Sequence, residues 1–205
     1  LTSEPLALWL TLPVLVVYPM LFAWLSHRTA IRLAEHKRRL ELMSTRDGMT
    51  GVFNRRHWET LLRNEFDACR RSHRQATILL IDIDHFKTIN DTWGHDVGDE
   101  AIVAITRQLQ LTLRSGDYIG RFGGDEFAVI MSGTPADSAI AAMSRVHERL
   151  VNMPLHGAPT ARLCISVGVA PWGAQFTHYR EWLKAADVAL YKAKNAGRGR
   201  TEVAA

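Results

Sequence analysis

Cysteine is scarce: Cys69 and Cys164 are the only two in 205 residues. That count excludes a small disulfide scaffold, fits a reducing compartment and offers no thiol spacing for a metal. His57, His73, His147, His156 and His178 stand at no ligand spacing either. Seven prolines and fourteen glycines without a period exclude a collagen-like chain, and no internal repeat or low-complexity tract occurs. A hydrophobic share of 47% against 22% charged residues is an ordinary globular mixture and excludes disorder. The length suits one domain of normal size plus a modest extra segment.

Charge is missing from one stretch. Glu4 is the only charged residue in 1–25, and Leu6 to Leu25 runs twenty residues without one, the length an α-helix needs to cross the hydrocarbon layer. Trp9 and Trp24 stand near its ends, where indoles favour the interface. Pro13 and Pro19 are tolerated in such helices when neighbouring helices satisfy the freed carbonyls. The alternative is a buried core helix, although those are usually shorter and keep a polar face. Residues 26–46 then hold Arg28, Arg32, Lys37, Arg38, Arg39 and Arg46 against Glu35 and Glu41, which accounts for nearly the whole formal charge of +4. Averaged over the chain, a basic excess suggests nucleic acid; confined to this flank, it points to anionic membrane lipid and away from nucleic acid. By the positive-inside rule everything downstream is expected in the cytoplasm.

A secretory signal peptide does not fit, because the basic residues follow the apolar run and no small-residue cleavage site is evident. The start at Leu1 rather than Met leads us to expect a piece cut from a longer protein, with further spans upstream. Residues 26–46 are expected to continue as a linker helix. Ala30, Leu33, Leu40 and Met43 stand near heptad spacing and Lys37 interrupts the seam, so a short parallel coiled coil and a plain solvated helix both remain open.

From Asp47 onward helix and strand patterns alternate. Trp58, Leu61, Leu62, Phe66 and Cys69 share one helical face within Asn54 to Arg74, and Ala76 to Ile83 is a mostly apolar run that suits a central strand covered on both faces. A polar loop is expected to Gly98, then a helix with Ile102, Ile105, Leu109 and Leu113 on one face. Asp117 to Phe122 and Glu126 to Met131 read as a hairpin around Gly123, Gly124 and Asp125. Ile140, Met143, Val146 and Leu150 mark a helix, Ala161 to Ala170 a strand, and Tyr179 to Asn195 a last helix capped by Gly197. This order predicts an α+β fold, a ferredoxin-like sheet covered by helices. Trp58, Trp172 and Trp182 are read as packing rather than base-stacking residues.

Two acidic turns stand out. Asp82 ends an apolar strand, where an unpaired carboxylate is costly unless paired, hydrogen-bonded or bound to a cation. Asp84 would share its side while the strand persists. The second turn presents Asp125 and Glu126 behind two glycines, which let a backbone or ligand approach closely. If the turns are neighbours in the sheet, three or four carboxylates converge, and an oxygen-rich site of this kind suits Mg²⁺ and phosphate chemistry. The alternative is that these acids are turn formers. Lys87, Lys192, Lys194 and Arg198 supply phosphate-compatible cations nearby, although Lys192 and Lys194 also suit a helix C-terminus.

Arg121-Phe-Gly-Gly-Asp-Glu-Phe127 resembles the signature of the GGDEF diguanylate cyclases, enzymes that join two GTP molecules into cyclic di-GMP. Asp47-Gly-Met-Thr-Gly-Val-Phe-Asn-Arg-Arg56 resembles the family's domain opening, Asp82 to Asp99 its nucleotide-binding segment and Ala186 to Arg198 its closing helix. The resemblance covers Asp47 to about Arg200 and implies a nucleotidyl-cyclase, polymerase-palm-like domain over 47–205, behind a transmembrane helix within 1–25 and a linker helix at 26–46. It implies that Asp82, the Ile83 carbonyl and Asp125 hold Mg²⁺, two ions per GTP site with Mn²⁺ as a substitute. Asp125 would also accept the proton of the attacking 3′-hydroxyl, and Glu126 would assist at the second metal. Asn90 and Asp99 would read the guanine edge beside His95. Lys87 would neutralise the transferred phosphoryl group, while Lys194 and Arg198 would hold the triphosphate. Because one chain binds one GTP, the reaction would need a homodimer, tethered to a bacterial inner membrane.

Arg114-Ser-Gly-Asp117 matches the family's RxxD inhibitory site for product, with Arg145 as a helper from the next helix; the alternative is a surface ion pair worth under about 1 kcal/mol. A catalytically silent domain that binds cyclic di-GMP as a receptor is the second reading, and it leaves Asp82, Lys87 and Asp125 without a task.

Overall fold

The computed structural model describes residues 17–32 and 45–204. The chain divides into two compact units, Leu1–Ser44 and Thr45–Ala205. In the first, residues 17–32 are helical (α1), and the Arg28 guanidinium lies 4.2 Å above the Trp24 ring. Among the described residues no helix is long and apolar enough to cross a membrane. Of the expected span, residues 6–16 lie outside the described residues, and α1 runs past its end into Arg28 and Arg32. The expected linker seam at Leu33, Lys37, Leu40 and Met43 also lies outside them.

The second unit contains β1 (Phe53–Asn54), α2 (Arg55–Ser72), β2 (Ala76–Ile83), α3 (Phe86–Trp93), α4 (His95–Thr112) and β3 (Tyr118–Arg121), followed by β4 (Glu126–Ser132), α5 (Ala136–Val151), β5 (Ile165–Pro171), α6 (Tyr179–Asn195) and β6 (Thr201–Val203). One six-stranded sheet runs in the order β1-β3-β4-β2-β5-β6. Its inner four strands are antiparallel in the ferredoxin-like order, and β1 and β6 add parallel edges. Helices cover both faces, so the expected α+β fold holds.

All eight residues of β2 are buried, as a strand covered on both faces requires. Leu79, Ile81 and Ile83 face one way, into a core with Ile102, Ile105 and Leu109 of α4 and Met143 and Val146 of α5. Ile78 and Leu80 face the other way, toward Trp58 and Leu62 of α2 and Trp182, Ala186 and Leu190 of α6. Strand period two thus builds two cores from one sequence run. Each fully buried side chain of this size contributes roughly 1.5–3 kcal/mol. The indoles of Trp58 and Trp182 each have a partner: Trp58 Nε1 donates to the Tyr118 carbonyl at 3.1 Å and Trp182 Nε1 to the Ala170 carbonyl at 3.0 Å, whereas the buried Trp172 Nε1 has none.

Local signals set the helix ends. The Asn54 side chain accepts from the His57 amide at 3.0 Å and starts α2. Gly197, at φ +112°, turns the chain just beyond α6. The expected loop before Gly98 is instead α3 followed directly by the start of α4. The eight-residue α3 buries only Ile89, and Gly94 at φ +87° breaks the chain between the two helices. The expected strand starts late: β5 begins at Ile165, and the Ala161 amide instead closes a turn on the Ala158 carbonyl at 3.0 Å. The two edge strands, of two and three residues, have no sequence pattern of their own.

Gly168 allows β5 to touch α6. A Cβ there would lie 2.2 Å from the Ala186 carbonyl oxygen and 2.2 Å from the Leu190 nitrogen, main-chain atoms of α6 that no rotamer change can move. Gly168→Ala should therefore cost on the order of 3 kcal/mol, read as a lowered thermal unfolding midpoint. A loss below about 1 kcal/mol would contradict this packing.

Candidate active site

The two acidic turns are neighbours. β2 and β4 pair antiparallel with Asp82 opposite Glu126, and one more bond follows, from the Ile83 amide to the Asp125 carbonyl at 3.2 Å. The hairpin between β3 and β4 therefore hangs over the carboxyl end of β2. Asp82 is 9% exposed, and Lys194, from the last turn of α6, places Nζ 2.6 Å from its Oδ2. Burial pushes the Asp82 pKa up, Lys194 pulls it down, and the charges of Asp125 and Asp84 add to the upward push, so it lies above the usual carboxylate value.

The expected convergence of three or four carboxylates is not what forms. Asp84 is 3% exposed and committed elsewhere: it accepts from Ser166 Oγ at 2.7 Å and from the Gly199 amide at 2.8 Å. It ties β5 and the segment after α6 to the end of β2, a structural role that turn composition does not reveal. Glu126 lines a cavity of about 320 Å³ with Arg55, Phe122, Lys184 and Asp187. Among the described residues no group of three or more His, Cys, Asp or Glu side chains is placed to hold a metal ion. What remains is two carboxylates, Asp82 and Asp125, and the Ile83 carbonyl, an all-oxygen donor set that fits a hard divalent cation.

The hairpin is held by a residue to which the sequence reading gave no role. Arg121 Nη2 donates to the Gly124 carbonyl at 2.7 Å and Nε to the Gly123 carbonyl at 3.1 Å, while Nη1 lies 3.2 Å from Asp47 Oδ1. Asp47 is held by Thr50, whose amide and hydroxyl donate to its Oδ1 at 2.9 and 2.6 Å. Burial raises the Asp47 pKa, but Thr50 and Arg121 outweigh it and hold it below the usual carboxylate value. The domain-opening segment thus braces the hairpin through one guanidinium. Neither Gly123 nor Gly124 has a positive φ, and a Cβ on Gly124 would meet nothing within 4 Å.

The expected guanine readers lie on α3 and α4. Asn90 Oδ1 is buried with no hydrogen-bond partner. It abuts Gly98, where a Cβ would come within 1.9 Å of it, and Gly98 precedes exposed Asp99. His95, Lys87 and Arg198 are exposed, and Arg198 has a left-handed backbone at φ +63°. Arg114, Asp117 and Arg145 come together around a separate cavity of about 370 Å³ that Thr134 and Ser138 also line. Asp117 accepts from the Arg114 amide at 3.0 Å, and the Arg114 guanidinium donates to Thr134 Oγ1. Burial raises the Asp117 pKa despite the Arg114 amide and charge.

Replacing Arg121 by Ala removes charge-assisted bonds to two hairpin carbonyls. Hydrogen exchange of the hairpin amides should accelerate by about tenfold or more while the β2 amides keep their protection. Unchanged exchange in the hairpin would mean that Arg121 does not hold it.

The sequence matches the family described as diguanylate cyclase, GGDEF domain, over residues 44–200. It is 73% identical over 203 residues to DgcC of Escherichia coli, named a probable diguanylate cyclase, and the match covers 99% of this chain and 55% of that protein. The chain thus spans about half the length of this curated relative. Among solved structures, the coiled coil and GGDEF domain of DgcB from Caulobacter crescentus, in complex with c-di-GMP, superposes with TM-score 0.76 at 27% identity, covering 90% of this chain and 99% of that one. SiaD of Pseudomonas aeruginosa, a diguanylate cyclase in complex with its activator SiaC, gives 0.73 at 31% identity, covering 98% and 78%. With a matching profile over most of its length and the fold of those structures, the chain belongs to the GGDEF-domain family of diguanylate cyclases.

Proposed function

We propose that this chain condenses two GTP molecules into cyclic di-GMP with release of two pyrophosphates. The observation that carries the reading is the paired turn, with Asp82 at the end of β2, Asp125 in the facing hairpin and open space above Gly124, where a phosphate can approach the main chain. In each half-reaction the 3′-oxygen of one nucleotide bonds to the α-phosphorus of the other. The bond from that phosphorus to the bridging oxygen breaks, pyrophosphate leaves, and the 3′-proton goes to Asp125. Asn90 and Asp99 read the guanine edge, and the exposed Asp99 carboxylate accepts from the N1 and N2 donors, a pair that adenine does not offer in the same place. His95 completes the base site. Lys87 faces the transferred phosphoryl group, and Lys194 and Arg198 take the triphosphate. Positioning and charge neutralisation are what in-line phosphoryl transfer asks of a protein.

Asp82, Asp125 and the Ile83 carbonyl are the residues that would hold Mg²⁺ or Mn²⁺, with Glu126 at a second ion. The cation would polarise phosphate oxygens. One site per chain and two nucleotides in the product call for two domains face to face. The DgcB structure, described as a coiled coil and a GGDEF domain, supports reading residues 26–46 as the element that pairs them. Its complex with c-di-GMP likewise supports product binding, which we assign to Arg114, Asp117 and Arg145. The uncharged run Leu6 to Leu25 with its basic flank supports an inner-membrane tether with the domain in the cytoplasm.

Incubation with GTP and Mg²⁺ should yield cyclic di-GMP and pyrophosphate, and Asp125→Asn should lower turnover by at least about 100-fold with an unchanged unfolding midpoint. If the wild-type chain makes no product at high concentration, the reading fails and the receptor alternative gains. In the same assay Arg114→Ala should relieve inhibition by added cyclic di-GMP; an unaltered inhibition curve would remove that residue from product binding. Cell membranes washed with alkaline carbonate should retain the chain and detergent should release it, whereas recovery in the wash would sink the tether.

A further inference from the structure

Two demands meet on the Lys194 ammonium. Its Nζ lies 2.6 Å from Asp82 Oδ2, and Asp82 is the carboxylate assigned above to the divalent cation. The backbone that carries it is tied down beyond the helix. The Ala196 amide donates to the Lys192 carbonyl at 2.9 Å, the Arg198 amide to the Ala193 carbonyl at 3.0 Å, and the Gly199 amide to Asp84 Oδ2 at 2.8 Å. Only the four-carbon stem is free to carry the charge elsewhere, and the side chain is 32% exposed, so the way out is open. Asp82 is the less exposed partner and remains where the β2–β4 ladder puts it.

We propose that Lys194 and the divalent cation are antagonists on Asp82, and that the nucleotide triphosphate relieves the antagonism by drawing the ammonium away. The proposal rests on the reading of Asp82 as a cation ligand. An ammonium at 2.6 Å has already neutralised much of the charge that attracts a cation to this carboxylate, and it repels a second positive charge a few ångströms away. Lysine is a compact point charge with three rotatable donors, so it exchanges a carboxylate for a phosphate oxygen without needing a fixed planar geometry. Once it has moved, the Asp82 and Asp125 carboxylates both face the cation.

Linkage makes the effect reciprocal: a nucleotide that removes Lys194 from Asp82 tightens cation binding, and the cation tightens nucleotide binding by the same factor. The cation therefore enters with the nucleotide rather than residing on the protein beforehand. Between bindings, Lys194 balances an acidic turn whose carboxylates otherwise repel one another.

The test needs no turnover. Mn²⁺ binding to the whole chain, followed by electron paramagnetic resonance of the free ion without nucleotide, should be weak for wild type. It should be about tenfold tighter for Lys194→Met and should remain wild-type-like for Lys194→Arg, which keeps the charge. Adding a GTP analogue with a methylene between the α- and β-phosphates should tighten Mn²⁺ binding to the wild type, and Lys194→Met should lose most of that gain. Equal or weaker Mn²⁺ binding by a Lys194→Met protein with an unchanged unfolding midpoint overturns the antagonism. Asp82→Asn separates the two failures. If it abolishes Mn²⁺ binding while Lys194→Met changes nothing, the antagonism alone falls; if it leaves Mn²⁺ binding intact, the cation reading of Asp82 falls with it.

Discussion

Seven residue pairs hold β2 against β4, from Ala76 opposite Ser132 to Asp82 opposite Glu126, and the chemistry of the domain hangs from the last of them. Register leaves no slack, because slipping by one residue would turn Leu80 and Ile130 out of one core and Ile81 and Val129 out of the other. The same two-residue period that fills both cores therefore sets which acid stands beside which. The extra bond from the Ile83 amide to the Asp125 carbonyl carries the ladder into the turn, and Arg121 closes the turn from the far side.

Charge around this end of the sheet is distributed so that each acid has a different counterpart. Arg121 and Thr50 hold Asp47, Ser166 and the Gly199 amide hold Asp84, and Lys194 holds Asp82. Two of these contacts brace the scaffold: one anchors the hairpin to the start of the domain, the other anchors the end of α6 to β2. The third is made by a flexible side chain on a fixed helix end, and it falls on the carboxylate that we assign to the cation. Arg114 and Asp117 sit just before β3, so the four residues of that strand connect their cavity to the β3–β4 hairpin.

Much of the fold was legible in the residue order. β2 and α6 occupy the ranges their apolar patterns predict, because a fully covered strand and a long amphipathic helix carry strong periodic signals. α3 was not legible, since Phe86, Ile89 and Trp93 give only two turns of a helical pattern among polar residues, too short a run to stand out; packing against α4 makes the helix. β1 and β6 were hidden for a related reason. Edge strands this short exist through the neighbour they pair with.

At the site, the sequence by itself determined which residue types are present: acids at two turns, lysines and an arginine around the end of a last helix, and motifs shared with a known family. Those are properties of local composition and spacing. Only the tertiary structure decided how they are used. It diverted Asp84 into a buried bracket, recruited Arg121 and Asp47 to brace the hairpin and set Lys194 on Asp82. The physical reason is that a carboxylate's role depends on what lies within hydrogen-bond reach. For Asp84 the two partners are 82 and 115 residues away along the chain, a distance across which no sequence pattern reports.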